Sequence, residues 1–396
     1  MKTRLGTGSV VWLVVVAINS VVLAPVARSQ ESKKPAPAQE TQPATTQAAM
    51  RGIFQVLSKV YGYSFDATAF ADPKNREQIG GWLVALAKNS DELQQHGGGL
   101  DPSFDFARRS ISRDAHDALG EFQNHNDVGS RYILNRITDN CVTCHVKLPS
   151  NREFGPGKEF LASIDVTKMP PTVRANLQIA ARQFPDAQKT YEDMLASPKM
   201  SAEDLVTYDV FEKYFRVSVG PMNDTRRAVE TMKRFGARTD VPVAMKAEVQ
   251  AWIASLQSLN LNTPVGEGLA MARKSVADAR AKTLGPSDHA RMVDFIGAIT
   301  LLHRYLRSDP KNENDVAESY YLLGVSESYV SHSFWISETE YLLAKSIRTA
   351  PKSDVAKQAL AFLEEYQHSG YKVEPARPVP PELQTNIEEL RKLTQQ

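Results

Sequence analysis

The sequence predicts an all-α protein, and two patterns carry the prediction. Between residues 50 and 137, apolar residues recur every three or four positions, which is the spacing of one helix face. From Pro171 onward, nearly every segment is an amphipathic stretch of about 12 to 20 residues, bounded by Pro, Gly, Asn or Asp. No segment shows the alternation of a β-strand.

The N-terminus is typical of a secretory signal peptide. Two basic residues precede an apolar run from Val10 to Leu23, and small residues follow up to Ser29. We expect residues 1–29 to be cleaved and the protein to be periplasmic. The run is shorter than the ~20 residues of a membrane span, and retention of this segment as a membrane anchor is the alternative.

Residues 30–47 contain Pro, Ala, Gln, Thr and Lys but no large apolar residue, so they are predicted to form a disordered linker. The formal net charge is only +1 over 396 residues. This balance argues against nucleic acid or an anionic membrane as the main partner. The rest of the chain is predicted to form a domain at 48–160, a helical domain at 170–370 and a tail at 371–396.

Four helices are predicted in the first of these domains. Three begin near Met50, Arg76 and Phe104, and three consecutive glycines at 97–99 end the second. Asn126-Asp127 caps the fourth, which continues into the cysteine-containing segment. The apolar residues of these predicted helices are Met50, Ile53, Phe54, Leu57, Val60, Tyr61, Ile79, Leu83, Leu86, Leu93, Phe104, Ile111, Ala115, Leu119, Phe122, Tyr132, Ile133 and Ile137.

The fourth helix carries the motif Cys141-Val142-Thr143-Cys144-His145, and these two cysteines are the only ones in the chain. C-x-x-C-H is the attachment pattern of a c-type haem, in which both thiols add to haem vinyl groups and the imidazole binds iron. A thioredoxin-like dithiol is expected after a β-strand, and structural zinc takes four ligands, for which no second Cys or Cys/His pair is present. The motif therefore predicts one covalent haem c, with His145 as the proximal iron ligand.

The run Asp127 to Lys147 and the position of Met50 resemble the cytochrome c prime family, including its low-spin relatives. The resemblance implies that residues 48–160 form a four-helix-bundle mono-haem cytochrome domain. In low-spin members a methionine near the start of the first helix is the sixth iron ligand, which nominates Met50.

Other arrangements of the iron and its surroundings stay open. His116 or His125 is an alternative sixth ligand, and an iron with five ligands would instead bind small gases. Arg51, Arg131 and Arg136 are candidates to pair with haem propionates, since guanidinium binds carboxylate through two hydrogen bonds, although exposed helix arginines are common.

The later helices resemble tetratricopeptide repeats. Phe184, Ala187, Tyr191 and Pro198 match the second helix of such a repeat, and segments at 320–324 and 340–351 echo the pattern without a constant period. The resemblance implies a degenerate tetratricopeptide-like α-solenoid. Two groups of aromatic residues are expected in its core or, alternatively, in a concave binding groove: Tyr208, Phe211, Tyr214 and Phe215, and Tyr320, Tyr321 and Tyr329. The Pro-rich tail is expected to contain a short helix at 382–393.

These observations predict an exported electron-transfer cytochrome whose helical domain recognises a redox partner protein. A nitric oxide or carbon monoxide sensor and an assembly scaffold with a secondary haem are the alternatives. The chain contains no H-E-x-x-H, G-x-S-x-G, phosphate-binding glycine loop or EF-hand pattern, so an enzyme is not expected.

Overall fold

The computed structural model describes residues 46–96, 103–148, 155–285, 288–330, 338–371 and 381–395. The predicted signal peptide and nearly all of the predicted linker lie outside these ranges. Within them, the regular elements are eighteen α-helices and three short 3-10 turns, with no strand. The all-α prediction is therefore confirmed. Among the described helices, none has both the length and the apolar character that crossing a bilayer requires.

The first five helices are α1 (Thr46–Ser64), α2 (Ala67–Ala71), α3 (Pro73–His96), α4 (Ser103–Gln123) and α5 (Asp127–His145). All four helices predicted in this part are present, and the short α2 is an addition. Helices α1, α3, α4 and α5 each pack on the next, and α1 also packs on α5. Their inward faces form one apolar core in which Ile53, Leu83 and Ile137 are almost completely buried.

Local sequence sets the ends of these helices. Asn126 caps α5 by accepting a hydrogen bond from the backbone N–H of Gly129 at 3.1 Å. Asp66 caps α2 in the same way, through the N–H groups of Thr68 and Ala69. The cap at Asn126 explains why α5 begins where the sequence predicted, and it fixes the register that carries the cysteine motif to the end of the helix.

The remaining helices are α6 (Gly155–Ala162), α7 (Pro171–Ala180), α8 (Phe184–Ala196), α9 (Ala202–Thr207), α10 (Val210–Val219), α11 (Thr225–Gly236), α12 (Val243–Ser258), α13 (Gly268–Lys282), α14 (Met292–Leu306), α15 (Glu313–Ser328), α16 (Glu338–Thr349), α17 (Asp354–Tyr371) and α18 (Pro381–Gln395). Most are followed by a helix that packs directly on them, as in the pairs α7 with α8, α11 with α12, α13 with α14 and α15 with α16. The predicted tail helix is present as α18.

Small residues allow close approach within these pairs. Ala187 in α8 is completely buried. At Gly324 in α15, an added Cβ would lie 2.8 Å from Leu343 Cγ of α16, so only glycine fits there without a shift. The predicted aromatic groups lie mainly in the core, where Phe211 and Phe215 pack on Trp252 with ring centroids 5.0 and 5.3 Å apart. Tyr208 is the exception, being 52% exposed.

Helix α5 joins the two sets of helices. Its residue Cys141 belongs to the core shared with α1, α3 and α4, whereas Val142 and Val146 belong to the core of the later helices. In return, Leu177 and Ala180 of α7 pack into the first core. Residues 44–396 form one compact unit by their contacts. The cysteine motif therefore lies at a buried junction between the two sets.

Candidate functional site

The side chains of the motif share one side of α5 at its last turn. At about 100° per residue, Cys141, Cys144 and His145 fall within an arc of about 100° on the helix. Cys141 and His145 are 7% and 5% exposed. The three groups thus face one side of the helix together, as attachment to a single planar cofactor requires.

The imidazole of His145 is held as a metal ligand would be. Its Nδ1 lies 3.2 Å from the backbone carbonyl oxygen of Ile179 in α7, so Nδ1–H donates and Nε2 keeps its lone pair. Burial, aided by the nearby charge of Arg182, lowers the pKa of His145 to about 4. The ring is therefore neutral at pH 7, and Nε2 is ready to bind iron.

The two thiols are poorly suited to redox chemistry of their own. Burial raises the pKa of Cys141 to about 12, and the neighbouring Cys144 adds to the shift. Burial likewise raises the pKa of Cys144 to about 12. A reactive dithiol needs a low pKa and an electropositive, accessible setting. Both thiols stay protonated at neutral pH, which argues against a thioredoxin-like function.

A buried arginine beside Cys144 carries unused hydrogen-bond donors. Arg108, in α4, is 7% exposed and its charge acts directly on Cys144. One guanidinium nitrogen pairs with Asp105, but Nε and Nη1 find no acceptor in the described part of the chain. Leaving charged donors buried and unsatisfied costs about 1–3 kcal/mol or more. An anionic acceptor at this place would remove that cost.

Further positive charge lies close to the same cysteine. Arg182, at the turn between α7 and α8, acts on both Cys144 and His145, and Lys147 also acts on Cys144. Glu338 is the carboxylate that opposes them. A haem carries two propionates, which arginines bind through pairs of hydrogen bonds. The thiols, the neutral imidazole and the unsatisfied Arg108 together fit a haem c at this site.

Asp139, two residues before the motif, fixes α5 against the later helices. Its carboxylate accepts hydrogen bonds from Asn176 Nδ2 at 2.9 Å and from Lys213 Nζ at 3.1 Å. Asn140 next to it donates to Asp114 of α4 at 2.6 Å. The motif is thus held from both sides, so its orientation depends on α7 and α10 as well as on α4.

Buried ion pairs follow the motif directly. Lys147 binds Glu338 of α16, and Arg216 of α10 binds Glu327 of α15 with Nη2 2.6 Å from Oε2. All four side chains are less than 10% exposed. Burial raises the pKa of Glu338 to about 7. These pairs join helices more than 100 residues apart in the sequence to the end of the motif.

Met50 lies level with His145. Tyr61 Oη donates to the carbonyl of Leu134 at 3.2 Å, and Arg131 Nε donates to the carbonyl of Ser64 at 2.8 Å, so α1 and α5 are antiparallel. Ser64 Oγ also donates to Asn135 Oδ1 at 2.9 Å. Met50 lies 11 residues before Tyr61, and His145 lies 11 residues after Leu134. Each separation is about 16 Å along its helix at 1.5 Å per residue. Met50 is half-buried against the core that contains Cys141.

The alternative ligands lie elsewhere. His125 is exposed at the start of α5, about 28 Å from His145 at 1.5 Å per residue, so it cannot bind the same iron. His116 Nε2 contacts the Asp91 carboxylate at 3.0 Å, and its side chain is 53% exposed. Neither histidine is brought to the motif. His289 begins a short 3-10 turn, His303 is in α14, where it lines one cavity together with Val146 and Lys147, and His332 is outside the described residues.

The three arginines that the sequence suggested as propionate partners have other surroundings in the structure. Arg131 Nε donates to the carbonyl of Ser64 at 2.8 Å, Arg136 is 55% exposed beside Asp139, and Arg51 is exposed on α1. The arginine that sequence analysis missed is Arg108. A signal was present, because Arg108 interrupts the apolar stripe of α4 between Phe104 and Ile111 at helical spacing.

A comparison with protein-family models found no match, and searches of curated proteins and of solved structures found none either. In the described ranges, no group of three or more His, Cys, Asp and Glu side chains is arranged to hold a metal ion. The motif and its surroundings are therefore the features of this chain that indicate a function.

Proposed function

We propose that this protein is an exported mono-haem c-type cytochrome that carries electrons. Cys141 and Cys144 hold the haem through thioether bonds, and His145 binds the iron through Nε2. The observation that carries the proposal is the hydrogen bond from His145 Nδ1 to the Ile179 carbonyl, because it leaves Nε2 of a neutral imidazole as the metal-binding atom on the side of α5 that carries both cysteines. When bound, the haem supplies a one-electron iron couple.

The chain's own residues set the environment of that couple. Arg108 would donate to a haem propionate, and Arg182 would add positive charge close to Cys144. Met50, level with His145 on the facing helix, supplies the sixth ligand. Two strong axial ligands close the iron to small molecules and favour electron transfer over gas binding, and methionine ligation raises the potential.

In this proposal, α1, α3, α4 and α5 form the four-helix bundle of a cytochrome c prime-like domain. Helices α7 to α17 form a degenerate tetratricopeptide-like solenoid that recognises a redox partner protein, supported by the paired packing of these helices. The c-type haem motif and the predicted signal peptide both support a periplasmic location.

The first test is the covalent bond. After expression with c-type haem maturation, the denatured chain is expected to carry one haem by mass, with a reduced pyridine spectrum of the c type. The variant Cys141→Ala/Cys144→Ala is expected to lose the haem on denaturation. Full-length chain that carries no covalent haem after such expression contradicts the proposal.

The second test separates electron transfer from gas binding. The oxidised protein is expected to be low-spin, and the reduced protein to take up carbon monoxide slowly. Met50→Ala is expected to give a high-spin spectrum and rapid carbon monoxide binding, because the sixth position opens.

Met232→Ala is the matched control for that variant, since it removes a completely buried methionine from α11, in the other core. It is expected to leave the spectrum unchanged. Rapid carbon monoxide uptake by the unmodified protein would instead favour the gas-binding alternative.

A further inference from the structure

A cavity lies where the chain leaves the haem motif and meets the later helices. Its volume is about 310 Å³. Its walls are the segment 146–148, Arg216 of α10 with the residues that follow this helix up to 223, and one face of α14. This volume is at the lower end of the range for small-molecule sites. The described lining of the cavity includes none of Cys141, Cys144 and His145, although Lys147 on its wall also acts on Cys144.

The charged groups of this wall are all basic. Lys147, Arg216, Arg304 and Arg307 line the cavity, and no carboxylate is among its described lining residues. The carboxylates that neutralise Lys147 and Arg216, on Glu338 and Glu327, belong to helices α16 and α15 and do not line it. The cavity therefore presents guanidinium groups while the balancing negative charge lies behind its wall.

Arg304 differs from the other basic residues. It is half-buried, and its guanidinium donates to the backbone carbonyls of Leu261 and Thr263, at 3.0 Å for the latter. In the described ranges it forms no ion pair with a carboxylate. A guanidinium has five N–H donors, so donors remain after these two bonds. Its charge is positioned by neutral groups and left uncompensated, as in a site that receives an anion.

The rest of the described wall is mainly apolar, with Asn223, Thr300 and His303 as its polar residues. Ile296 and Ile299 on α14, together with Pro221 and Val146, line the same space. An inorganic anion would gain nothing from these groups, whereas an organic acid would bury its hydrocarbon part against them. A site that combines fixed guanidinium donors with apolar surface matches a carboxylate on a small hydrocarbon body.

We propose that this cavity binds a small organic carboxylate, with Arg304 holding the carboxylate and the two isoleucines contacting the apolar part. Arg307 donates to the carbonyl of Lys147 at 2.5 Å and so connects the cavity wall to the segment directly after His145. The inference concerns a second site and does not depend on the presence of haem.

The test is calorimetric titration of the full-length protein with benzoate, using inorganic phosphate as the comparison. Benzoate is expected to bind at one saturable site and at least tenfold more tightly than phosphate. Arg304→Gln is expected to weaken benzoate at least tenfold, equivalent to ~1.4 kcal/mol. Arg226→Gln, which removes an exposed arginine from α11, is expected to leave binding unchanged.

A second variant guards against a folding defect in Arg304→Gln. Thr300 lines the cavity one turn before Arg304 and is half-buried, so Thr300→Asp places a carboxylate inside it. Benzoate binding is expected to fall at least tenfold while the helical circular dichroism is retained. The proposal is overturned if benzoate shows no saturable heat at millimolar concentration, if phosphate binds as tightly, or if Thr300→Asp binds benzoate normally. The benzoate titration does not depend on whether the protein carries covalent haem, so the two proposals can fail independently.

Discussion

Arg108 and Arg216 are both buried arginines, yet their surroundings differ. Arg216 donates from Nε to Glu212 at 2.8 Å, and from Nη1 and Nη2 to Glu327 at 3.2 and 2.6 Å. These bonds raise its pKa further above an already high value. Arg108 keeps one ion pair, to Asp105, and buries Nε and Nη1 without an acceptor in the described residues, and burial lowers its pKa.

The difference between them separates a structural charge from one placed for a ligand. Burial is nearly equal, at 7% exposure for Arg108 and 9% for Arg216, so burial alone does not distinguish them. The number of satisfied hydrogen-bond donors distinguishes the two arginines. All three guanidinium nitrogens of Arg216 donate to protein carboxylates and join α10 to α15, whereas Arg108, whose charge acts on Cys144, buries two nitrogens that have no acceptor among the described residues.

The largest effect is expected from Arg216→Met. Removing this guanidinium leaves Glu327, 2% exposed, as an unpaired buried carboxylate, which destabilises a protein by about 3–5 kcal/mol. Urea unfolding followed by circular dichroism measures the loss. The matched control is Arg273→Met, which breaks a pair between α13 and α15 whose arginine is 53% exposed, for about 1 kcal/mol or less. Equal losses in the two variants would show that the Arg216 network is not a structural centre.

The next largest effect is expected at Arg108, where one substitution changes the free energy of unfolding in opposite directions with and without haem. In the haem-free chain Cys141→Ser/Cys144→Ser, adding Arg108→Met is expected to raise the free energy of unfolding by about 1–3 kcal/mol, because unsatisfied donors are removed. In the haem-loaded protein the same substitution is expected to destabilise and to lower the reduction potential by tens of millivolts, since 59 mV corresponds to ~1.4 kcal/mol for one electron.

Arg108→Lys is the companion variant, because it keeps the charge and loses the forked donors. In the haem-loaded protein, Arg108→Lys is expected to keep the reduction potential close to that of the unsubstituted protein but to lower the free energy of unfolding. If Arg108→Met shifts stability in the same direction with and without haem, Arg108 is structural, and its contrast with Arg216 disappears.

The sequence predicts what depends on short-range patterns. The apolar spacing around Ile53 and Leu57 places α1 because one helix face must be buried, and Asn126 places the start of α5 because a side-chain acceptor is needed there. The motif from Cys141 to His145 is likewise local. These features need no knowledge of what packs against them.

The surroundings of the motif could not be predicted in this way. Glu327 and Glu338 meet Arg216 and Lys147 across 111 and 191 residues, and pairs so distant leave no periodic signal. The carbonyl that orients His145 is a backbone group of Ile179, which any residue at that position would supply. The sequence shows Arg108 as a charge on an apolar stripe, but it does not show that this charge lies close to Cys144.

The smallest expected effect is a pH dependence confined to the Arg216 network. Burial raises the pKa of Glu212 to about 7 from 4.5 in the unfolded chain, with Asp209 and Glu327 adding to the shift and Arg216 opposing it. The folded state therefore holds this proton more tightly than the unfolded state does. The stabilisation is complete below pH 4.5 and is lost as the pH rises through 7.

Glu212→Gln cannot titrate, so the variant isolates this group from His145, whose lowered pKa changes stability in the opposite direction. Between pH 6 and 8, the protein is expected to lose about 1.4 kcal/mol of unfolding free energy relative to Glu212→Gln, equivalent to one pKa unit. Glu230→Gln, at an exposed carboxylate on α11, is expected to show no such trend. A pH-independent difference would mean that Glu212 stays ionised beside Arg216, and the network would then carry its full negative charge at neutral pH.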